Sequence, residues 1–461
     1  MTQRDPREDD GGGVVTKRRR GKWSQMQRAM RYSIWDGMAA NMSENLFGPF
    51  LSLFALELGA TKAQIGLLSS LPSLLGNIAQ IPAAMLTERL GRRKILTVWS
   101  AIGARLCLLA TVFIPFLFGS EFNLIGLFIF LVAMRGFVNS LGVPAWTSIM
   151  ADISPVESRG AFFSTRNILS GMTGFAGTLL AGWIIRTYGF PGGYQRSFFL
   201  AFLTGVLAIY FFARIPVQEP GPKKARIAEE AAETEEPAEP KLTLRQKWNR
   251  ALDAFSQHAN FRKYCFTSIF WQFSVSLGGP MVAVHFAENL GGTPAQWSIA
   301  SSAGLVAGIL FQKYWGRLAD RFGPKNVMKF AGIPAAALPW IWLAIPIPQL
   351  GFIASFIGQF GWSGYNLAAF NLILELTPDA SRSTYVGVYN TMAGISAAIS
   401  PVIGGVLAEH IGMYWVLFLS GLLRFVAFLV FVFNVDDTRS TPMRWSDMFP
   451  DALRPRQKLA G

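Results

Sequence analysis

The sequence predicts an all-α integral membrane protein: twelve transmembrane helices in two pseudo-symmetric six-helix bundles. Three observations lead there. The 461 residues are 51% hydrophobic and only 15% charged, against roughly a quarter charged in soluble domains, and the mean hydropathy is +0.32. Charges fall in short segments between apolar runs of about 20 residues, the length that crosses a bilayer as a helix. The chain also repeats itself: LTERLGRRK at 86–94 returns as LADRFGPK at 318–325. Glu88, Arg89 and Gly91 recur as Asp320, Arg321 and Gly323 at one constant offset, which extends upstream to LGATKAQ (58–64) and LGGTPAQ (290–296). SPVESRG (154–160) likewise returns as TPDASRS (377–383).

Residues 1–30 are polar and basic, and are expected to form a disordered cytoplasmic tail. The spans of the N-terminal bundle (31–214) follow at about 31–58, 62–89, 94–118, 122–150, 158–187 and 194–214. Residues 215–262 form a cytoplasmic linker. It opens as a charged, proline-bearing tether and ends in a segment with Leu244, Trp248, Leu252 and Phe255 at helical spacing, a candidate interfacial amphipathic helix. The C-terminal bundle (263–435) has spans at about 263–289, 293–320, 325–346, 349–376, 382–409 and 413–434, before a cytoplasmic tail at 436–461. Short loops make consecutive spans antiparallel. With the N-terminus inside, the cytoplasmic loops hold Arg89, Arg92, Arg93, Lys94, Arg159, Arg321, Lys325 and Arg382, and the opposite loops only Lys62, Arg186 and Arg196. That asymmetry puts both termini in the cytoplasm.

The net charge of +14 does not indicate nucleic acid, because the cations cluster at span ends rather than on one basic face. Cys107 and Cys265 are far apart in the repeat and suggest neither a disulfide framework nor a metal site. His258, His285 and His410 lack metal or nucleophile spacing, so an enzyme is not expected, nor a cofactor. The first span is expected to act as its own insertion signal.

The glycine-bracketed acidic–basic turn after the second span of each half resembles motif A of the major facilitator superfamily, and SPVESRG and TPDASRS resemble the loop between that family's fourth and fifth helices. The resemblance covers 31–434. In the first copy Glu88 stands where the family has aspartate. The fourth span keeps Leu131 and Arg135 of motif B but has Val138 and Asn139 in place of glutamine and glycine. The antiporter proline–glycine motif is absent from GMTGFAGTLLAGW (171–183), and SPVIGG occurs at 400–405 instead.

The resemblance implies a secondary active transporter working by alternating access on a small organic solute, coupled to protons, with export favoured, in the cell membrane as a monomer. Alternatives are an uncoupled facilitator and a non-transporting sensor. It also implies that the motif A cluster latches one state. The candidate gating residues are Glu88, Arg89, Gly91, Arg92, Arg93, Asp152 and Arg159, with Asp320, Arg321, Gly323, Lys325, Glu375 and Arg382 in the second half.

Charges inside a bilayer are costly and mark function by default. At about 1.5 Å per residue, Glu44 lies roughly 17–20 Å from the cytoplasmic end of its span and Arg135 roughly 22 Å, so the two are expected to pair and to carry proton coupling. Asp36, nearer the cytoplasm, is a third proton-coupling candidate and is expected to pair with Arg166. Arg105, Lys313 and Arg424 are also embedded. By the resemblance, spans 1, 4, 7 and 10 surround the solute. The candidate cavity residues are Asn41, Asn45, Trp271, Gln272, Gln359, Trp362, Tyr365 and Asn366, a mixture of rings and amides suited to a solute with apolar and hydrogen-bonding parts. Small residues on spans 2, 5, 8 and 11 are expected where the halves slide.

Overall fold

A computed structural model describes residues 10–117, 123–154, 159–217, 258–377, 382–437 and 443–448. Matching caps open the second helix of each half. Thr61 and Gln64 exchange backbone-to-side-chain bonds at 2.9 and 3.3 Å, and Thr293 and Gln296 do so at 2.9 and 3.4 Å. The repeated LGxTxAQ strings are therefore capping boxes, which satisfy amides that a helix start leaves without partners. The same helices end on Gly91 and Gly323, with φ of +58° and +84°, a backbone region open to glycine and strained for other residues.

The first span is α1 (Asp10–Phe47), broken at Gly48–Phe50 by Pro49 and continued as α2 (Leu51–Glu57). Then come α3 (Lys62–Leu90), α4 (Arg93–Phe113), α5 (Leu124–Ile153), α6 (Arg159–Tyr188) and α7 (Gly192–Ala213). The second half comprises α8 (Ala259–Gly278), α9 (Met281–Val284) with a π turn at His285–Asn289, α10 (Pro294–Phe322), α11 (Pro324–Ala344), α12 (Gly351–Glu375), α13 (Arg382–Ile411) and α14 (Met413–Asn434). Among the described residues, eight helices are long and apolar enough to cross a membrane by composition. The spans of α1, α3, α8 and α12 are not among the eight, and three of the four carry candidate cavity residues.

Within the first half, α1 packs on α6 and α7, and α5 on α3 and α4; within the second, α12 packs on α10 and α11, and α8 on α13 and α14. The halves meet where α3 lies along α13 and α6 along α10. Contact there is backbone-close: a Cβ on Gly66 would lie 2.3 Å from the Pro401 carbonyl oxygen, and one on Gly405 2.3 Å from that of Lys62. Other expected sliding residues pack inside their own half. Gly174 faces Asn41 and Asn45, Gly177 faces the Met42 carbonyl, and Gly404 faces that of Leu277. Small residues thus serve two kinds of helix contact, which spacing alone does not separate.

Polar bonds between the halves gather where α3 and α10 begin. The Ala63 N–H donates to Glu409 at 2.9 Å, Lys62 lies 3.6 Å from Glu288, and the Trp297 indole donates to the Pro49 carbonyl at 2.8 Å. The protein is closed on this face, opposite the Gly91 and Gly323 turns.

Two terminal features differ from expectation. Helix α1 starts at Asp10, so 10–30 continue the first span as backbone helix instead of forming a structureless tail; extending a nucleated helix is cheap. After α14, the residues around Trp445–Met448 dock on the second half. Trp445 packs edge-on against Phe330 at 4.7 Å, and the Tyr314 hydroxyl donates to the Met448 carbonyl. The linker's amphipathic segment lies outside the described residues.

Candidate functional site

Helix α1 turns by about 100° per residue, and this sorts its side chains. Ser43 is fully buried and donates to the Ala201 carbonyl of α7 at 2.6 Å, while Leu46 and Phe47 fill the core. Glu44 therefore points away from that contact. Its side chain is 47% exposed although it lies mid-span, and it forms an ion pair with Arg135 of α5. The Arg135 guanidinium sits 5.0 Å over the Phe47 ring. The two residues expected to meet from depth alone do meet.

Two turns earlier on α1, Asp36 lies 3.5 Å from Arg166 of α6, with side chains 11% and 13% exposed. Arg166 also donates to the Ser33 carbonyl at 3.1 Å and lies over Trp146. This pair is enclosed, whereas the Glu44 side chain keeps part of its surface exposed. Asn45 donates to the Asn41 side chain at 2.6 Å and accepts from Thr178 of α6 at 3.3 Å, so Asn45 ties α1 to α6 while Asn41 is held within α1.

The second half presents rings. Trp271 of α8 stacks on Tyr365 of α12 with centroids 4.4 Å apart. Trp362 lies nearly parallel to both, at 6.3 and 6.2 Å. Trp271 and Tyr365 are buried and Trp362 is partly exposed, so the stack has one accessible edge. Gln272 bonds Ser276 on its own helix, Gln359 packs against Gly308 of α10, and Asn366 is exposed. A parallel Tyr264–Tyr389 pair, centroids 5.6 Å apart, joins α8 to α13. Sequence reasoning missed it because the two tyrosines lie 125 residues apart.

At the glycine turns the halves differ. Arg93 binds Asp152 at 2.7 Å and the Ser148 hydroxyl, and Lys94 donates to the Ile215 carbonyl at 2.8 Å. Of the two neighbours open to Asp152, Arg93 is the one that reaches it; Arg92 is exposed at the cap of α4. In the second half Lys325 is 5% exposed and meets Asp437, just after α14, at 3.3 Å; Lys329 meets the same carboxylate at 3.3 Å. Asp437 was not anticipated, because it lies outside both repeated motifs. Arg321 lies over Phe322, while Asp320 and Glu375 are exposed. Glu88 and Arg89 close α3, and Arg159 and Arg382 open α6 and α13; their side chains lie outside the described residues. Among the described residues no group of three His, Cys, Asp or Glu side chains could hold a metal.

The family model described as Major Facilitator Superfamily matches residues 37–270 and 264–453. The chain is 29% identical over 150 residues to the multidrug resistance protein MdtG of Proteus mirabilis, a match covering 32% of this chain and 37% of that protein. It is 31% identical over 159 residues to the multi-drug resistance efflux pump PmrA of Streptococcus pneumoniae, covering 33% and 39%. The chain thus spans under two-fifths of the length of these relatives. Among solved structures, the nucleoside transporter NupG superposes with a TM-score of 0.68 at 12% identity, covering 87% of this chain and 100% of that one. A D-xylose–proton symporter gives 0.64 at 15%, covering 91% and 99%.

Proposed function

Because the chain belongs to the Major Facilitator Superfamily, we propose that it is a secondary transporter that exports a small amphipathic organic solute in exchange for protons. The carrying observation is the Glu44–Arg135 ion pair, whose acid sits mid-span with its side chain part-exposed. Protonating Glu44 removes the charge that holds Arg135. The two helices then lose a tie that exists only while the carboxylate is deprotonated, which is what coupling requires of a carboxylate at the solute path. The Trp271–Trp362–Tyr365 stack supports a solute with a flat apolar part. The efflux names of the MdtG and PmrA relatives favour export.

The loop charges favour a cytoplasmic face at the Gly91 and Gly323 turns, which makes the closed face external and this conformation inward-facing. Alternation then opens the Ala63–Glu409 and Lys62–Glu288 contacts and brings the turn clusters together. The functional role of the turn residues is part of this proposal.

Proteoliposomes with an imposed pH gradient test it, using a panel of fluorescent amphipathic dyes. Wild type is expected to accumulate one or more dyes only when the gradient is present. Glu44→Gln should cut gradient-driven accumulation by at least about tenfold, or about 1.4 kcal/mol, while retaining dye exchange at equal pH. Full gradient-driven accumulation by the variant rules the coupling site out.

A further inference from the structure

The structure carries a second polar site, apart from the solute path. A cavity of about 240 Å³ lies inside the first half, bounded by residues of α1, α4, α5, α6 and α7 and by none of the second half. Its charged lining is Asp36, Arg105 and Arg166, two guanidiniums against one carboxylate. Arg166 is occupied with Asp36 and Ser33. Arg105 is 7% exposed, and its Nε and Nη1 have no hydrogen-bond partner among the described groups.

Arginine does not lose its proton in a protein, so Arg105 cannot become neutral. A buried cation without a counter-charge is strongly unfavourable. Water satisfies donors but leaves the charge. The charges of Glu44, Arg135 and Asp36 all act on Arg105, yet each acid already has its own arginine. The side chain is also held in place: a Cβ on Gly205 of α7 would lie 2.2 Å from Arg105 Nε, so α7 runs against the guanidinium. The buried arginine of the second half shows the alternative. Arg424 is 3% exposed and donates from both terminal nitrogens to the Ala335 and Val275 carbonyls at 3.3 and 3.2 Å, which leaves its Nε alone without a partner among the described groups.

We propose that this cavity binds a small inorganic monovalent anion of chloride size, held by Arg105 with Asn139 at the cavity wall. One such charge balances the lining. The volume exceeds a water's share of about 30 Å³ several times over, so the ion enters with part of its hydration shell.

The test uses the full chain, purified in detergent and freed of halide. Thermal unfolding is followed as sodium gluconate is replaced by chloride, bromide or nitrate at constant ionic strength, and the ³⁵Cl NMR line width is measured on adding protein. The expected result is a saturable rise in midpoint, as for any ligand of the folded state, with chloride line broadening that bromide reverses. Arg105→Gln should give equal midpoints in chloride and gluconate and no broadening. Ala101→Leu, which narrows the cavity beside Arg105 without removing a charge, should reduce both signals and stands in if the arginine variant does not fold. Equal midpoints for wild type in all salts, or a saturable chloride shift that survives in Arg105→Gln or is undiminished in Ala101→Leu, overturns the proposal.

Discussion

The first half encloses Asp36, Arg105 and Arg166 and pairs Glu44 with Arg135 at mid-membrane, whereas the second encloses Tyr264, Trp271 and Tyr365 with Arg424 alone among buried mid-span charges. The halves share their threonine capping boxes and a positive-φ glycine at the end of the second helix. Duplication preserved the frame, which backbone hydrogen bonding and turn geometry dictate, and left the interior free to diverge. One half acquired charges, whose energies change when a proton or ion arrives. The other acquired rings, whose contact energies depend on shape and hardly on pH.

Within the first half, the comparison sharpens between the enclosed pair and the part-exposed one. Arg166→Gln leaves Asp36 buried without its cation and should destabilise the protein by about 3–5 kcal/mol, read as a large fall in thermal midpoint. Glu44→Gln, at a part-exposed acid, should leave the midpoint within about 1 kcal/mol of wild type while transport falls. If both variants melt alike, the distinction between an architectural and a working pair fails.

The second half is probed by its stack. Trp362→Ala removes the accessible ring and should cost about 0.5–1.5 kcal/mol of dye affinity, measured as a rise in the half-saturating concentration of an aromatic dye, with little change for a non-aromatic one. Equal losses for both dyes would mean that the stack is packing only. The smallest effect is expected at the closed face. Reversing Lys62 and Glu288 together should change stability by less than about 1 kcal/mol, because both are partly exposed and exposed pairs contribute little.

The frame was legible from particular residues. The repeated LGxTxAQ and acid–base–glycine strings marked the start and end of the second helix in each half, and counting residues from the span end brought Glu44 level with Arg135. What was not legible has physical reasons. Lys325 takes Asp437, an acid beyond the duplicated segment, so the internal repeat held no hint of it. Gly174 and Gly404 have the spacing of sliding surfaces but receive neighbours from their own half, because a small residue admits any close backbone. The Tyr264–Tyr389 pair joins distant segments of an apolar core, where no charge or cap signals a partner.

The bond from the Ala63 amide to Glu409 has a consequence for how the contact between the halves at the start of α3 can be undone. Its donor is a main-chain group in the first turn of α3, where the helix itself supplies no acceptor. No side-chain replacement at position 63 removes that donor except proline, which the first turn of a helix tolerates. The fastening is therefore renewed whenever α3 is folded and the halves approach, and Ala63→Pro would delete it alone while leaving every charge in the protein where it was.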